Sequence, residues 1–324
     1  MSFNSVNTNR QAVFALQSLN QTSFELAGVQ KRVSTGFRVS DARDDGGAFA
    51  VAQAVRSDVA GVTAVGEQLG GTRGILSTTF ASLSVVSDTM KQVRAVLTRM
   101  ADAGITGTSR EQYEEQYTLL TRQIETFIDD AFYNGRTLLS TSVAAGGGNI
   151  TSIRNESGGT FTIQAVDGEA LKLDPAAFVL TTDEIDDLTD LAETNYTAAA
   201  GPDDPEWDDL TDAQQQTFID AEIFNVKVQR ATDAIQPGGS FDEVDGLVST
   251  ALNQFGAQMQ FVENQITYNS KKIDAMNDGL GALVDADLAK ESSKLQALQT
   301  RQQLGVQTLG IANQGPQVLL SLFR

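Results

Sequence analysis

Two long stretches without proline constrain this chain more than any other feature. Its five prolines are Pro175, Pro202, Pro205, Pro237 and Pro316. Proline removes a backbone donor and clashes with the preceding helical turn, so long helices run only where it is absent. The period of the apolar residues says where. From Val55 an apolar side chain returns every seven positions, at Val62, Leu69, Leu76, Leu83, Met90 and Leu97. Three positions further on stand Val65, Thr72, Thr79, Val86, Val93 and Met100. This is a heptad seam with two polar gaps. It predicts a helix over about 48–100, roughly 75–80 Å long and too long for a compact domain.

The C-terminal flank repeats the signal. Val248, Leu252, Phe255, Met259, Val262, Ile266, Asn269, Ile273, Met276, Leu280 and Leu283 follow one another in steps of four and three. Asn269 is the single polar member, and a buried Asn can fix register and partner number. Leu288, Leu295, Leu298 and Leu309 predict a further helical segment. A shorter helix follows the N-terminal seam. Ser109 and Gln112 have capping-box spacing, and Tyr113, Tyr117, Leu120, Ile124, Phe127 and Ala131 give the period. Asp129 and Asp130, near its C-terminal end, oppose the helix dipole and call for a cation or for solvent.

The middle reads differently. Asn134–Gly135 and Asp167–Gly168 are turn pairs of the hairpin kind. Phe161, Ile163 and Ala165 alternate before the second pair, and Leu171 and Leu173 follow it. A small β-hairpin region is expected over about 136–180, then an acidic segment with short helices over 183–236. The two long flanks, joined by this middle, suggest antiparallel pairing along a rod. The fold class expected is mainly α, a coiled-coil or helical-bundle rod built from both chain termini, with a β-hairpin region and an outer insert. From periodicity alone, a monomeric bundle core explains the heptads equally well. The apolar end Val318, Leu319, Leu320, Leu322 and Phe323 favours assembly, because a monomer would leave part of these stripes exposed.

Composition narrows the chemistry. The chain of 324 residues has no cysteine and no histidine. Disulfides, thiol nucleophiles, triads that need His, and His- or Cys-ligated zinc are therefore excluded. The net charge is −19. Residues 1–140 hold 13 basic and 14 acidic side chains, residues 141–240 hold 4 and 19, and residues 241–324 hold 6 and 9. The middle thus reads as a solvated face, the near-neutral flanks as packing surfaces, and the whole as a poor partner for nucleic acid. The first residues lack the basic and apolar regions of a cleaved signal, and no run suits a membrane span. No membrane insertion, no cofactor and no metal are expected. Asp41, Asp44, Asp45, Gly46 and Gly47 do not have calcium-loop spacing and read as a break between helices. In the acidic stretch 183–212 no ligand spacing recurs, so a solvated face is the better reading than weak calcium binding. Trp207 within it reads as packing of a small outer domain or as a contact site.

The stretch RVSTGFRVSDARDDGGAFAVA, Arg32 to Ala52, closely resembles the N-terminal signature of bacterial flagellin. Arg32, Ser34, Gly36, Arg38, Ala42, Asp44 and Asp45 stand in matching places. Asn7–Thr8–Asn9 is similar to the family's opening, and Phe132–Asn134–Gly135 to its Phe-Asn-Gly with Tyr133 inserted. Ala312–Asn313–Gln314–Gly315–Pro316–Gln317, with Leu320, Leu322 and Arg324, resembles its terminus. The match covers about 1–140 and 245–324.

The resemblance implies a structural, non-catalytic subunit that self-assembles into the helical flagellar filament. Its terminal segments would pair as coiled coils around the filament core. Partners would be other copies of the chain, an export chaperone on the C-terminal segment, and the filament cap and hook-junction proteins. Export through the flagellar apparatus without a cleaved signal would place it in the extracellular filament. Three domains follow: 1–44 with 285–324 as the inner terminal domain, 45–180 with 238–284 as the helical rod, and 181–237 as the exposed insert. Terminal-domain interface residues would be Leu16, Leu19, Leu26, Val33, Leu295, Leu298, Leu309, Val318, Leu320, Leu322 and Phe323. Arg32, Gly36, Arg38, Arg43, Asp44 and Asp45 would form the bend, with Arg43, Asp44 and Asp45 available to neighbouring copies. Rod heptads would be Val62, Leu69, Leu76, Leu83, Met90, Leu97, Leu252, Phe255, Met259, Val262, Ile266, Ile273 and Met276. At the family's innate-receptor epitope stand Gln92, Val93, Arg94, Ala95 and Val96, of which only Val93 and Arg94 agree, implying weak or no toll-like receptor recognition. An exposed helix face with no receptor meaning fits too. Alternatives are a hook–filament junction or other axial protein, and an insert hosting carboxylate-based catalysis. A zinc peptidase of the HExxH kind is excluded without histidine.

Overall fold

The computed structural model describes residues 9–201 and 204–321, with side chains described through Gln314. Seven helices carry most of it: α1 Arg10–Thr35, α2 Gly46–Met100, α3 Thr108–Asp129, α4 Thr182–Ala199, α5 Asp212–Ile235, α6 Ser240–Val284 and α7 Leu288–Ser321. Two short strands, β1 Ile150–Ile153 and β2 Thr160–Ile163, pair antiparallel with Ile150 opposite Ile163. The chain divides into two compact units, residues 1–64 with 269–324, and residues 65–268.

The second unit holds a continuous core. Leu69, Leu76, Leu83, Met90 and Leu97 of α2 are buried, as are Val65, Val86, Val93 and Met100. The two polar gaps are buried too, and their hydroxyls are satisfied within the helix. Thr79 Oγ1 donates to Ile75 O at 3.0 Å, and Thr72 Oγ1 to Gln68 O at 3.1 Å. Against this seam lies the first part of α6, with Phe241, Val248, Phe255 and Val262 in the same core. The two segments run antiparallel. Arg94 meets Asp245 at 3.2 Å near one end, and Phe80 lies over Gly256 further along. Helix α3 adds Tyr117, Leu120, Ile124 and Ile128.

The turn between α2 and α3 is closed by a side chain the sequence did not single out. Buried Arg110 donates twice to Met100 O, the last carbonyl of α2, and its guanidinium stacks 4.7 Å from the Phe224 ring centroid of α5. Lys227 and Arg230, the two cations of residues 181–237, both face inward. Lys227 Nζ pairs with Glu114 of α3 at 2.7 Å, and Arg230 with Glu184 of α4 and the carbonyl of Ala177. Helices α4 and α5 therefore dock on the unit through their positive charge and turn the acidic remainder outward. They are longer than the short helices expected there, at 18 and 24 residues. Trp207 packs with Tyr196 and Phe218 at the link between them, with ring centroids 4.9–6.1 Å apart.

Three local expectations need correction. Asn134–Gly135 does make a two-residue turn: both have positive φ, 50° and 73°, and Tyr133 and Arg136 exchange backbone hydrogen bonds. Asp167–Gly168 does not. Gly168 has φ −67°, so it leads into a short 3-10 turn instead of reversing a strand, and the hairpin turns at 154–159. Glycine is needed there for space, because a Cβ would lie 2.3 Å from Leu139 O. Leu171 and Leu173 are buried as a loop would bury them, and not as a strand. Ser109 is not an N-cap either. Gly107 occupies that place with φ 61°, and reciprocal capping boxes occur at Thr181 with Glu184 and at Thr211 with Gln214 instead. Asp129 finds the cation its position called for, Lys172 at 2.8 Å.

Candidate assembly surface

The first unit is built on α1 against α7. Asn9 Nδ2 donates to Ala312 O at 2.7 Å, Gln302 Nε2 reaches Ser23 Oγ at 3.4 Å, and Arg32 pairs with Glu291 at 3.3 Å. Rising numbers on one helix meet falling numbers on the other, so the pair is antiparallel. A Cβ at Gly305 would lie 3.2 Å from Leu19, so glycine lets the helices approach there. The shared core is thin. Leu26, Val29 and Leu298 are buried, with Val33 and Leu295 packed beside them.

Each of these helices has a second apolar face. On α1 the residues turned inward, Leu19, Thr22, Leu26, Val29 and Val33, follow steps of three and four. Val13 and Phe24 fall on the opposite side of the helix at about 100° per residue, with Leu16 on one flank, and all three are exposed, Phe24 at 83%. Phe14, on the other flank, is 70% exposed. On α7, Leu295, Leu298 and Leu309 share the inward side. Leu304 and Ile311 lie roughly opposite, and Ile311 is 70% exposed. A helix that is apolar on both sides is one that gets buried on both sides. Of the interface residues expected from the sequence, Leu19, Leu26, Val33, Leu295, Leu298 and Leu309 serve the chain's own helix pair, and Leu16 faces outward. Val318 and Leu320 fall where no side chain is described, and Leu322 and Phe323 lie outside the described residues. Val13, Phe14, Phe24, Leu304 and Ile311 were missed.

The break between α1 and α2 is stitched to the one between α6 and α7. Gly36 ends α1 with φ 74°, its N–H on Arg32 O at 2.9 Å. Phe37 bridges Asp285, Arg38 N and Val39 N donate to Val284 O, and Ala286 N donates to Gly36 O. Arg38 Nη2 donates to Leu283 O at 2.5 Å. Val39, Ala52 and Val284 make a small core beneath. Gly46 and Gly47 sit in the first turn of α2 without positive φ, so the conformational freedom of this bend resides in Gly36. Asp45 Oδ1 accepts from Ala48 N at 3.0 Å and caps α2. Asp44 is fully engaged inside the chain, and hydrogen bonds from Lys31 and Ser40 hold its carboxyl down at about 2. Asp41 is held below the ordinary carboxylate range by Arg43 and Lys31. Arg43, Asp44 and Asp45 are all exposed residues, and Arg43 projects furthest, its side chain 90% exposed against 31% for Asp44.

The seams place the rest. Along α2, Val62 is buried like the heptad members after it. Along α6, Val248, Phe255, Val262 and Asn269 are buried at seven-residue intervals. Leu252, Met259, Ile266, Ile273 and Met276 are half-buried. At the receptor-epitope positions Val93 and Val96 are buried, Gln92 and Ala95 exposed. Arg94 is drawn onto Asp245 and the Phe241 ring, 4.9 Å away. Among the described residues no group of three or more acidic side chains is arranged to hold a metal ion, and no helix is long and apolar enough to cross a membrane.

Comparison with known proteins bears on this arrangement. Residues 6–144 match the bacterial flagellin N-terminal helical region, and residues 242–323 match the bacterial flagellin C-terminal helical region. Flagellin FljK of Caulobacter vibrioides is 31% identical over 324 residues, covering 100% of both chains. Flagellin C of Rhizobium meliloti is 29% identical over 331 residues, covering 99% of each. A crystal structure of Bacillus cereus flagellin aligns with a TM-score of 0.37 and 17% identity, over 63% of this chain and 88% of that one.

Proposed function

The chain belongs to the bacterial flagellin family, a family of structural filament subunits, and from that premise we propose that it polymerises through the outer apolar faces of α1 and α7. The observation that carries this reading is the second apolar face on each helix. Among the described residues Val13, Leu16, Phe24, Leu304 and Ile311 stay exposed on their own helix pair. Neighbouring copies would supply one, each fully buried Leu or Phe contributing about 1.5–3 kcal/mol before ordering costs. Repeated contacts that do not close a ring generate a helix. The product is a non-catalytic filament. Its domains are 1–44 with 285–324 at the core, 45–180 with 238–284 outside it, and the acidic 181–237 facing water. In this reading the apolar faces, before assembly, suit an export chaperone on the C-terminal segment. Growth proceeds at a cap from a hook junction, after export. Arg94, tied to Asp245 and Phe241, offers little to a toll-like receptor.

The thin core predicts how the unassembled chain behaves. Helices gain most of their stability from tertiary packing, and α1 and α7 share few buried side chains, Leu26, Val29 and Leu298. Protease treatment of monomer is therefore expected to trim both ends and spare a core of about 45–285, whereas filaments keep the ends intact. Mass spectrometry of the fragments reads this out. Ends that resist equally in monomer and filament contradict the proposal.

A further inference from the structure

Residues 36–39 of the bend are fixed by backbone bonds to the α6–α7 junction, whereas Ser40 to Asp44 is tied to α1 by the ammonium group of Lys31. Lys31, one turn before the end of α1, places Nζ 2.9 Å from Asp41 Oδ2 and 2.9 Å from Asp44 Oδ2, with Asp44 Oδ1 at 3.2 Å. The same Asp44 Oδ2 accepts from Ser40 N at 3.1 Å, Ser40 Oγ at 2.9 Å and Asp41 N at 3.3 Å. Asp44 adjoins Asp45, whose carboxylate caps α2. One ammonium group thus joins the last turns of α1 to the first turn of α2. Without it, two carboxylates would stand together with Arg43 as their near cation, and Arg43 reaches Asp41, at 3.1 Å.

We propose that Lys31 is a positioning residue for assembly, setting the direction in which α1 leaves the bend. This rests on the filament reading above. Exposed ion pairs are individually weak, but this one sits at the base of a lever. Helix α1 is 26 residues long. A rotation of roughly 10° at the bend therefore moves its far end by roughly 7 Å, enough to misplace Phe14 and its neighbours against another copy.

Because the chain has no cysteine, nitroxides on Gln17→Cys in α1 and Ser57→Cys in α2 report this geometry cleanly. Labelled chains are diluted into unlabelled parent so that the filament grows whatever the variant does, and electron–electron distances are measured within single subunits. With Lys31 present the distribution is expected to be narrow at low salt and to widen near 1 M NaCl, where screening shortens to about 3 Å. Lys31→Met is expected to give a distribution about twice as wide at low salt, with no further change on adding salt. The parent's narrow distribution in Lys31→Met overturns the proposal while leaving the filament reading in place. Failure of the unlabelled parent to form filaments overturns the reading on which it rests.

Discussion

Replacing Phe14, Phe24 and Ile311 with aspartate is expected to abolish filament growth while leaving the bulk of the monomer folded. Each of these side chains is at least 70% exposed in the isolated chain, so none contributes to the core formed by α2, α3 and α6. On the proposed reading they become interior in a filament. Losing three apolar burials of about 1.5–3 kcal/mol each raises the critical concentration at least about 1,000-fold, before the cost of burying carboxylates. Seeded elongation followed by sedimentation measures it. The main thermal transition should stay where it was, because that transition belongs to residues 65–268. Growth at the parent's rate would show that these faces are not the contact.

The second large effect is internal. Phe255 is fully buried on α6 within the core of the second unit. Phe255→Ala removes its contacts and leaves a cavity, at a cost of about 3–5 kcal/mol. In a unit of this size that lowers the thermal midpoint of the monomer by roughly 10 °C. Phe24→Ala, the same chemical change at an 83% exposed site, should move the midpoint by less than about 2 °C. Calorimetry of the two variants separates the proposed roles of the two phenylalanines, Phe255 holding the subunit together and Phe24 left free to join subunits. Equal shifts would contradict that division.

Much of the helical framework was legible because a heptad states its own period. Val62 to Leu97 and their companions mark α2 to within two residues at its start, and the same steps mark α6. Thr72 and Thr79 looked like gaps in the seam, yet they are buried, because a threonine hydroxyl can satisfy itself on the carbonyl four residues back. The outer faces of α1 and α7 were harder to see. A search for one seam finds one phase, and Leu19, Leu26 and Val33 already account for it. Val13 and Phe24 stand on the opposite phase with Leu16 and Phe14 at its flanks, the pattern expected of a helix with two hosts. Asp167–Gly168 misled for another reason. Glycine serves both positive φ and close approach, and sequence does not say which. Arg110 gave no signal, since its role depends on Met100 and Phe224 converging on it from two other helices. Arg43, Asp44 and Asp45 were read as available to neighbouring copies. Within the chain Asp44 also holds Lys31 and Ser40, and Asp45 the start of α2, uses that depend on the folded bend and leave no mark in the sequence.

The central claim is that α1 and α7 are buried a second time, by other copies of the same chain. Electron cryo-microscopy of filaments grown from purified, seeded protein tests it most directly. The account predicts long helical filaments in which Val13, Leu16, Phe24, Leu304 and Ile311 pack against neighbouring subunits around the filament core, with residues 181–237 at the outer surface. Filaments in which those five side chains face water, or no filaments at all, would contradict it.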